Sequence, residues 1–283
     1  MAAMDRLRPA LDAALPLLRD IRAGLGRQPT APHAAVERLR AIQTRTEPAP
    51  APVATPRAEA GAARPVPAAE ATSPRIIPTQ DWTLDTLRAA ALACTECPHL
   101  VRSRTHVVFG VGNPNAELMF VGEAPGADED VQGEPFVGKA GQLLTKIIQT
   151  MGFSRDAVYI GNVLKCRPDM PPGESGNRKP KSAEMETCLP WLAKQIELIQ
   201  PKVLVALGAT AVEGLLGETR PMNQLRGRWL DYKGIPVMAT YHPAYLLRNQ
   251  SLSEKRKVWE DMLLVMERLG APISEKQRGF FLK

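Results

Sequence analysis

From Asp81 onward the apolar positions fall into two alternating patterns. Short unbroken runs come first: "HVVFGVG" (106–112), "AELMFVG" (116–122), "AVYIGNVL" (157–164), "KVLVALG" (202–208) and "IPVMATY" (235–241). Between the later runs, apolar residues recur at helical spacing in "AGQLLTKIIQTMG", "SAEMETCLPWLAKQIELI", "ATAVEGLL" and "SEKRKVWEDMLLVMERLG". "TLDTLRAAALAC" adds an earlier helix, with Thr83 as its cap. Strands that are apolar on both faces and alternate with helices predict an α/β protein whose mainly parallel sheet is covered on both sides.

The pattern fails before Asp81. Residues 46–80 hold eight prolines and ten alanines and few large apolar side chains, which predicts a disordered linker. Residues 1–45 read as a tail whose Met4–Leu25 stretch can form an amphipathic helix, interrupted at Pro16. The folded domain is expected over 81–272, with 273–283 as a C-terminal tail. No apolar run is long enough to span a membrane, and no signal peptide is evident, so a cytoplasmic protein is expected. The net charge is +6, and residues 1–80 contribute 11 Lys/Arg against 7 Asp/Glu. This mild basicity is compatible with nucleic acid without requiring it.

In sheets of this kind ligands collect beyond the carboxyl ends of the strands. Three unusual segments fall there: "GEAPGADEDVQGEPFVGKAG" (122–141), Asn162, and "YHP" (241–243). The first is glycine-rich like a phosphate loop but carries five acids, which repel phosphate. The chain has four cysteines, as Cys94-x₂-Cys97, Cys166 and Cys188. In a reducing compartment such a set suggests a four-thiolate centre, and zinc and a 4Fe–4S cluster both accept one. The wide second spacing fits a cluster better. His99 lies outside the sulfur set and reads as structural.

Loop, cysteines and "HP" segment together resemble the type-4, iron–sulfur uracil-DNA glycosylases. The resemblance rests on "GEAPG" (122–126), "EDVQGEPFVGKAGQLL" (129–144), "NVLKCRP" (162–168), "NRKP" (177–180) and "HPAYLLRN" (242–249), and covers about residues 85–270. It implies an α/β/α sandwich around a four-stranded parallel sheet, hydrolysis of the N-glycosidic bond of uracil in DNA, and one 4Fe–4S cluster on Cys94, Cys97, Cys166 and Cys188. The gap from Cys166 to Cys188 looks longer than the family's. The resemblance makes Phe136 the stacking platform, Asn162 the base reader and His242 the donor to the leaving base. Glu123 becomes the carboxylate beside the sugar, and Glu129 the residue at the base's C5 edge. Ala124 stands where more active relatives carry Asp. Leu246 or Leu247 is expected as a wedge in DNA, and Arg248, Arg178, Lys179 and Lys181 as phosphate contacts. Asp128 and Asp130 read as solvated turn acids.

Other readings compete with this one. A non-catalytic iron–sulfur DNA-binding protein would share the cysteines and basic residues but would not need Phe136, Asn162 and His242 together. The branch that traps uracil-DNA covalently carries a histidine in an inserted loop. No histidine lies between Cys166 and Cys188, and Ala124 also argues against that branch. The expected partner is uracil-containing DNA, with the protein acting as a monomer and the tail's partner unidentified.

Overall fold

A computed structural model describes residues 81–171 and 173–282. The expected tail and linker over 1–80 lie outside the described residues. Six strands form one sheet: β1 (Val111–Gly112), β2 (Leu118–Gly122), β3 (Tyr159–Asn162), β4 (Val203–Leu207), β5 (Trp229–Tyr232) and β6 (Ile235–Thr240), in the order β1-β3-β2-β4-β6-β5. The four central strands are parallel. They are four of the five apolar runs expected as strands; the fifth, 106–112, yields only the two residues of β1. Short antiparallel strands, β1 and β5, flank them and raise the count from four to six.

Alternation along the strands divides the side chains between two layers. On one face Met119, Val121, Leu204, Ala206 and Val237 pack under α5 (Ser182–Ile199) and α6 (Ala209–Leu216). On the other, Leu118, Phe120, Val203, Val205 and Met238 pack under α4 (Lys139–Thr150) and α9 (Leu252–Arg268). A third cluster joins α1 (Leu84–Leu92) and α2 (Pro98–Ser103) to Phe109, Leu164 and Trp191. α1 starts where Thr83 predicts: its hydroxyl accepts from the Thr86 amide at 3.2 Å. The result is the expected three-layer sandwich.

Beyond the described edge strand β5, a two-residue loop of Lys233 (φ 52°) and Gly234 (φ 87°) leads back into β6. Two positive φ angles are what a tight hairpin requires. The chain runs from β2 outward to β3 and then returns past β2 to β4, so a crevice opens at the carboxyl end of β2.

Residues after 272, expected as a tail, are held against the domain. Ser274 caps α10 (Glu275–Arg278). Trp259 Nε1 donates to the Gln277 carbonyl at 2.6 Å, and Gln277 Nε2 donates to the Thr150 carbonyl at 2.7 Å. No described helix is long and apolar enough to cross a membrane.

Candidate active site and cysteine centre

The loop after β2 is folded by its own acids. Gly126 precedes α3 (Ala127–Gln132), and the Glu129 carboxylate reaches back to it. One Glu129 oxygen accepts from the Gly126 amide at 3.1 Å, and the other accepts from the Val137 and Gly138 amides at 3.0 and 2.9 Å. Asp130, expected as a solvated turn acid, is buried and accepts from the Thr105 amide at 2.9 Å. It fastens the loop to the segment after α2.

These bonds hold Phe136 in a left-handed backbone conformation, φ 56°, which an aromatic residue rarely adopts. Arg155 donates to the Pro135 carbonyl and, at 3.3 Å, to Thr145 Oγ1. Gly141 leaves room for the strained turn, since a Cβ there would lie 1.8 Å from the Phe136 carbonyl oxygen. The Phe136 ring then lies 5.6 Å from the His242 ring, centroid to centroid, at 31°. Gly122 sits beneath it. A Cβ on Gly122 would meet Asn162 Oδ1 at 2.4 Å and the Phe136 ring at 2.5 Å. The glycine lets the platform and the amide approach one another over the strand end.

Asn162 ends β3 and is 2% exposed, yet its Oδ1 has no hydrogen-bond partner among the described residues. Buried acceptors are rarely left so. The atom borders a cavity of about 130 Å³ lined by Ala124, Glu129, Phe136, Ala140, Asn162 and His242, among others. A flat ring with an N–H to donate fits that opening.

His242 caps α8 (Pro243–Arg248), its Nδ1 accepting from the Ala244 amide at 3.1 Å. A neutral ring with Nδ1 as acceptor carries its proton on Nε2. Burial, aided by the charge of Arg248 and opposed by Glu129, pushes its pKa down to about 4. The imidazole is therefore a neutral N–H donor at physiological pH.

A second cavity, about 290 Å³, adjoins the first and shares Ala124, Asn177 and His242 with it. Glu123, Lys179 and Arg248 line only this second space. Glu123 thus faces the groove beside the base cavity rather than the cavity itself. Burial raises its pKa, opposed by a hydrogen bond from Thr210 and by the charge of Lys179. Arg248 is exposed and makes no hydrogen bond among the described residues. Lys179 pairs with Glu213 at 2.6 Å.

Two expected DNA contacts are corrected. Arg178 commits all five donors within the protein: Nε to the Asp169 carbonyl at 2.6 Å, Nη1 to the Lys179 carbonyl and Glu184 Oε2, and Nη2 to Asp169 Oδ1 and Glu184 Oε1. None is left for phosphate. Burial raises the Glu184 pKa, but Arg178, the Lys181 amide and His99, the last at 2.7 Å, together hold it down at about 2. Leu246 is 5% exposed and packs inward, while Leu247 on the next turn position is 38% exposed. Of the two, only Leu247 is exposed.

The cysteines come from three segments. Cys94 follows α1, Cys97 caps α2, Cys166 follows β3, and Cys188 lies in α5. None is in a disulfide. Burial pushes the thiols of Cys97 and Cys188 up to about 11 and about 12, and each is raised further by Cys166 and Cys94. The four are therefore close enough to feel one another's charge. Among the described residues the ligand atoms of no three of them fall within 4.8 Å of one another. Four thiols are a donor set that zinc and an iron–sulfur cluster both accept, and two N–H donors are aimed at sulfur: Arg104 Nη1 to Cys166 at 3.0 Å and the Lys165 amide to Cys188 at 3.2 Å.

Asn177, which lines both cavities, and Lys165, whose buried ammonium touches Asn162, were not singled out from the sequence. Asn177 lies inside the "NRKP" segment, so a signal was present. Nothing local marks Lys165.

Fold and site together define a doubly wound α/β protein that receives a flat polar ring at the switch point of its sheet. A family model of the uracil DNA glycosylase superfamily matches residues 109–263. The chain is 43% identical over 187 residues to the type-4 uracil-DNA glycosylase of Thermotoga maritima, covering 65% of this chain and 93% of that one. It is 41% identical over 181 residues to that of Archaeoglobus fulgidus, covering 61% and 87%. A type-5 uracil-DNA glycosylase of Thermus thermophilus is more distant, at 30% over 155 residues. The chain belongs to the uracil-DNA glycosylase superfamily, on its type-4 side.

Proposed function

We propose that the protein removes uracil from DNA by hydrolysing its N-glycosidic bond, leaving an abasic site. The observation that carries this reading is the unpartnered Asn162 Oδ1, buried beside the Phe136 ring and facing a base-sized cavity. A uracil flipped from the duplex stacks on Phe136, a contact worth roughly 1–3 kcal/mol. Its N3–H donates to Asn162 Oδ1. Cytosine has no hydrogen on N3 and leaves the acceptor unsatisfied, which rejects it. His242 Nε2–H donates to O2, where negative charge gathers as the bond breaks. A neutral donor suits this task, because its proton stays on the ring throughout. Glu129, in the cavity wall, stands at the C5 edge and excludes a thymine methyl. Glu123 and Asn177 border the sugar side, where a carboxylate stabilises developing positive charge and a water is held for attack. Leu247 fills the vacated stack and Arg248 holds a phosphate.

Cys94, Cys97, Cys166 and Cys188 would hold one 4Fe–4S cluster, which supplies cross-linking of α1, α2, β3 and α5. The all-cysteine donor set and the two N–H···S bonds support it. Anaerobically purified protein should contain about four iron and four sulfide per chain. Stoichiometric zinc in place of iron would refute the cluster.

The function is tested by incubating the protein with a single-uracil oligonucleotide and cleaving abasic sites with alkali. Strand breaks at the uracil position, and none at thymine or cytosine, are expected. Binding without breaks would favour the non-catalytic alternative.

A further inference from the structure

Lys165 is 1% exposed, and its amine lies deep between the base cavity and the cysteine centre. Nζ donates to the Asn162 carbonyl at 2.8 Å and to Gln195 Oε1 at 2.6 Å. Gln195 is itself fully buried, and its Nε2 donates to the Phe109 carbonyl at 2.9 Å and to Tyr159 Oη at 3.0 Å. The Lys165 backbone amide meanwhile donates to Cys188 Sγ, and Cys166 is the next residue. No carboxylate pairs with the ammonium among the described residues. A charge so far from water requires a counter-charge, and a centre of four thiolates is the nearest source of one.

We infer that Lys165 is a positioning residue for uracil recognition, tying the backbone of the base reader Asn162 to the cysteine centre. The inference rests on the reading of Asn162 and the cysteines given above. Asn162 is the last residue of β3, and from there the chain leaves the sheet, with the Val163 amide donating to the Gly122 carbonyl at 3.0 Å. The amine therefore fixes the carbonyl side of the one peptide from which the reading amide projects. Moving a reacting group by about 1 Å can cost about a hundredfold in rate. Occupation of the cysteine centre acts on base reading through this contact, although no cysteine touches the base cavity.

The test compares wild type with Lys165→Met at equal iron content. Single-turnover excision of uracil should fall by about 10- to 100-fold. The preference for uracil over cytosine should relax. Affinity for undamaged duplex should stay unchanged, because Lys165 is out of reach of DNA. The reduction potential of the bound cluster should drop, since a nearby positive charge favours the reduced state. Wild-type excision by iron-loaded Lys165→Met overturns the inference, and so does slower excision with base preference and potential both unchanged. If Lys165→Met does not load iron, Gln195→Met decides: it keeps the charge but removes the group that aims it. A smaller loss of excision with relaxed base preference is then expected, and a wild-type rate and preference overturn the inference. A wild-type protein that excises no uracil, or an Asn162→Ala variant with full activity, would instead refute the underlying reading.

Discussion

His242→Ala should cleave uracil-DNA about 10²- to 10³-fold more slowly in a single turnover, the range for loss of one donor to a developing anion. Its affinity for uracil-DNA should change far less, because the donor acts mainly on charge that appears as the bond breaks. The same histidine predicts a pH profile. Its pKa of about 4 leaves the ring neutral over the working range, so excision should show no limb near pH 6.5, where an ordinary histidine titrates. Stability responds in the opposite region. The folded pKa lies below the unfolded value, so the unfolded chain takes up the proton first as pH falls. His242 therefore lowers stability progressively from about pH 6.5 down to about pH 4, and adds no further loss below that. His242→Gln should lack this contribution. A wild-type rate from His242→Ala, measured by rapid quench, would remove the histidine from the mechanism.

Asn162→Asp is expected to lower uracil excision by roughly a hundredfold or more and to shift the remaining selectivity towards cytosine. The substitution keeps the shape of the side chain and removes its only N–H donors. A carboxylate repels uracil O4 but accepts from the cytosine amino group. Its oxygen beside Phe136 would also sit in the place of the unpartnered Oδ1, now charged and away from water. Rates on matched uracil and cytosine strands measure the shift. An unchanged uracil-to-cytosine ratio would mean that discrimination is made elsewhere in the cavity.

Much of this was legible along the chain, and the exceptions share a cause. The four central strands are buried on both faces, so their composition announces them. β5 escaped because, at the sheet edge, only Tyr232 of its four residues is buried, although the Lys-Gly pair after it is a hairpin signal. Phe136, Asn162 and His242 fall at strand ends or in the loop that follows one, where this topology gathers ligands, and they do converge. Arg178's inward pairing was hidden because its partners, Asp169 and Glu184, sit nine and six positions away, across a loop whose path the sequence does not reveal. Leu246 and Leu247 are alike in sequence, and only the helix phase set by Pro243 separates the buried one from the exposed one. Glu129 reads as a substrate residue but is first a cap for its own loop. Lys165 is invisible in the same way, since nothing in "NVLKCRP" says that its amine turns back three residues into the interior.

The spacing of the cysteines sets an order of assembly. Cys94 and Cys188 lie at opposite ends of a long stretch of chain, and β2 and β3 fall between them. A centre with ligands so far apart in sequence cannot close until that intervening chain has folded, because the entropy of loop closure must first be offset. A cluster loaded on these cysteines would then be a late, locking addition that stabilises by mass action only what has already formed. The part from β4 to α9 contains no cysteine and is built around its own strand pair, β4 with β6. Oxidative loss of the centre should therefore loosen the half that carries Asn162 before the half that carries His242. Such an oxidised molecule is expected to keep the His242 donor while losing the Asn162 reader.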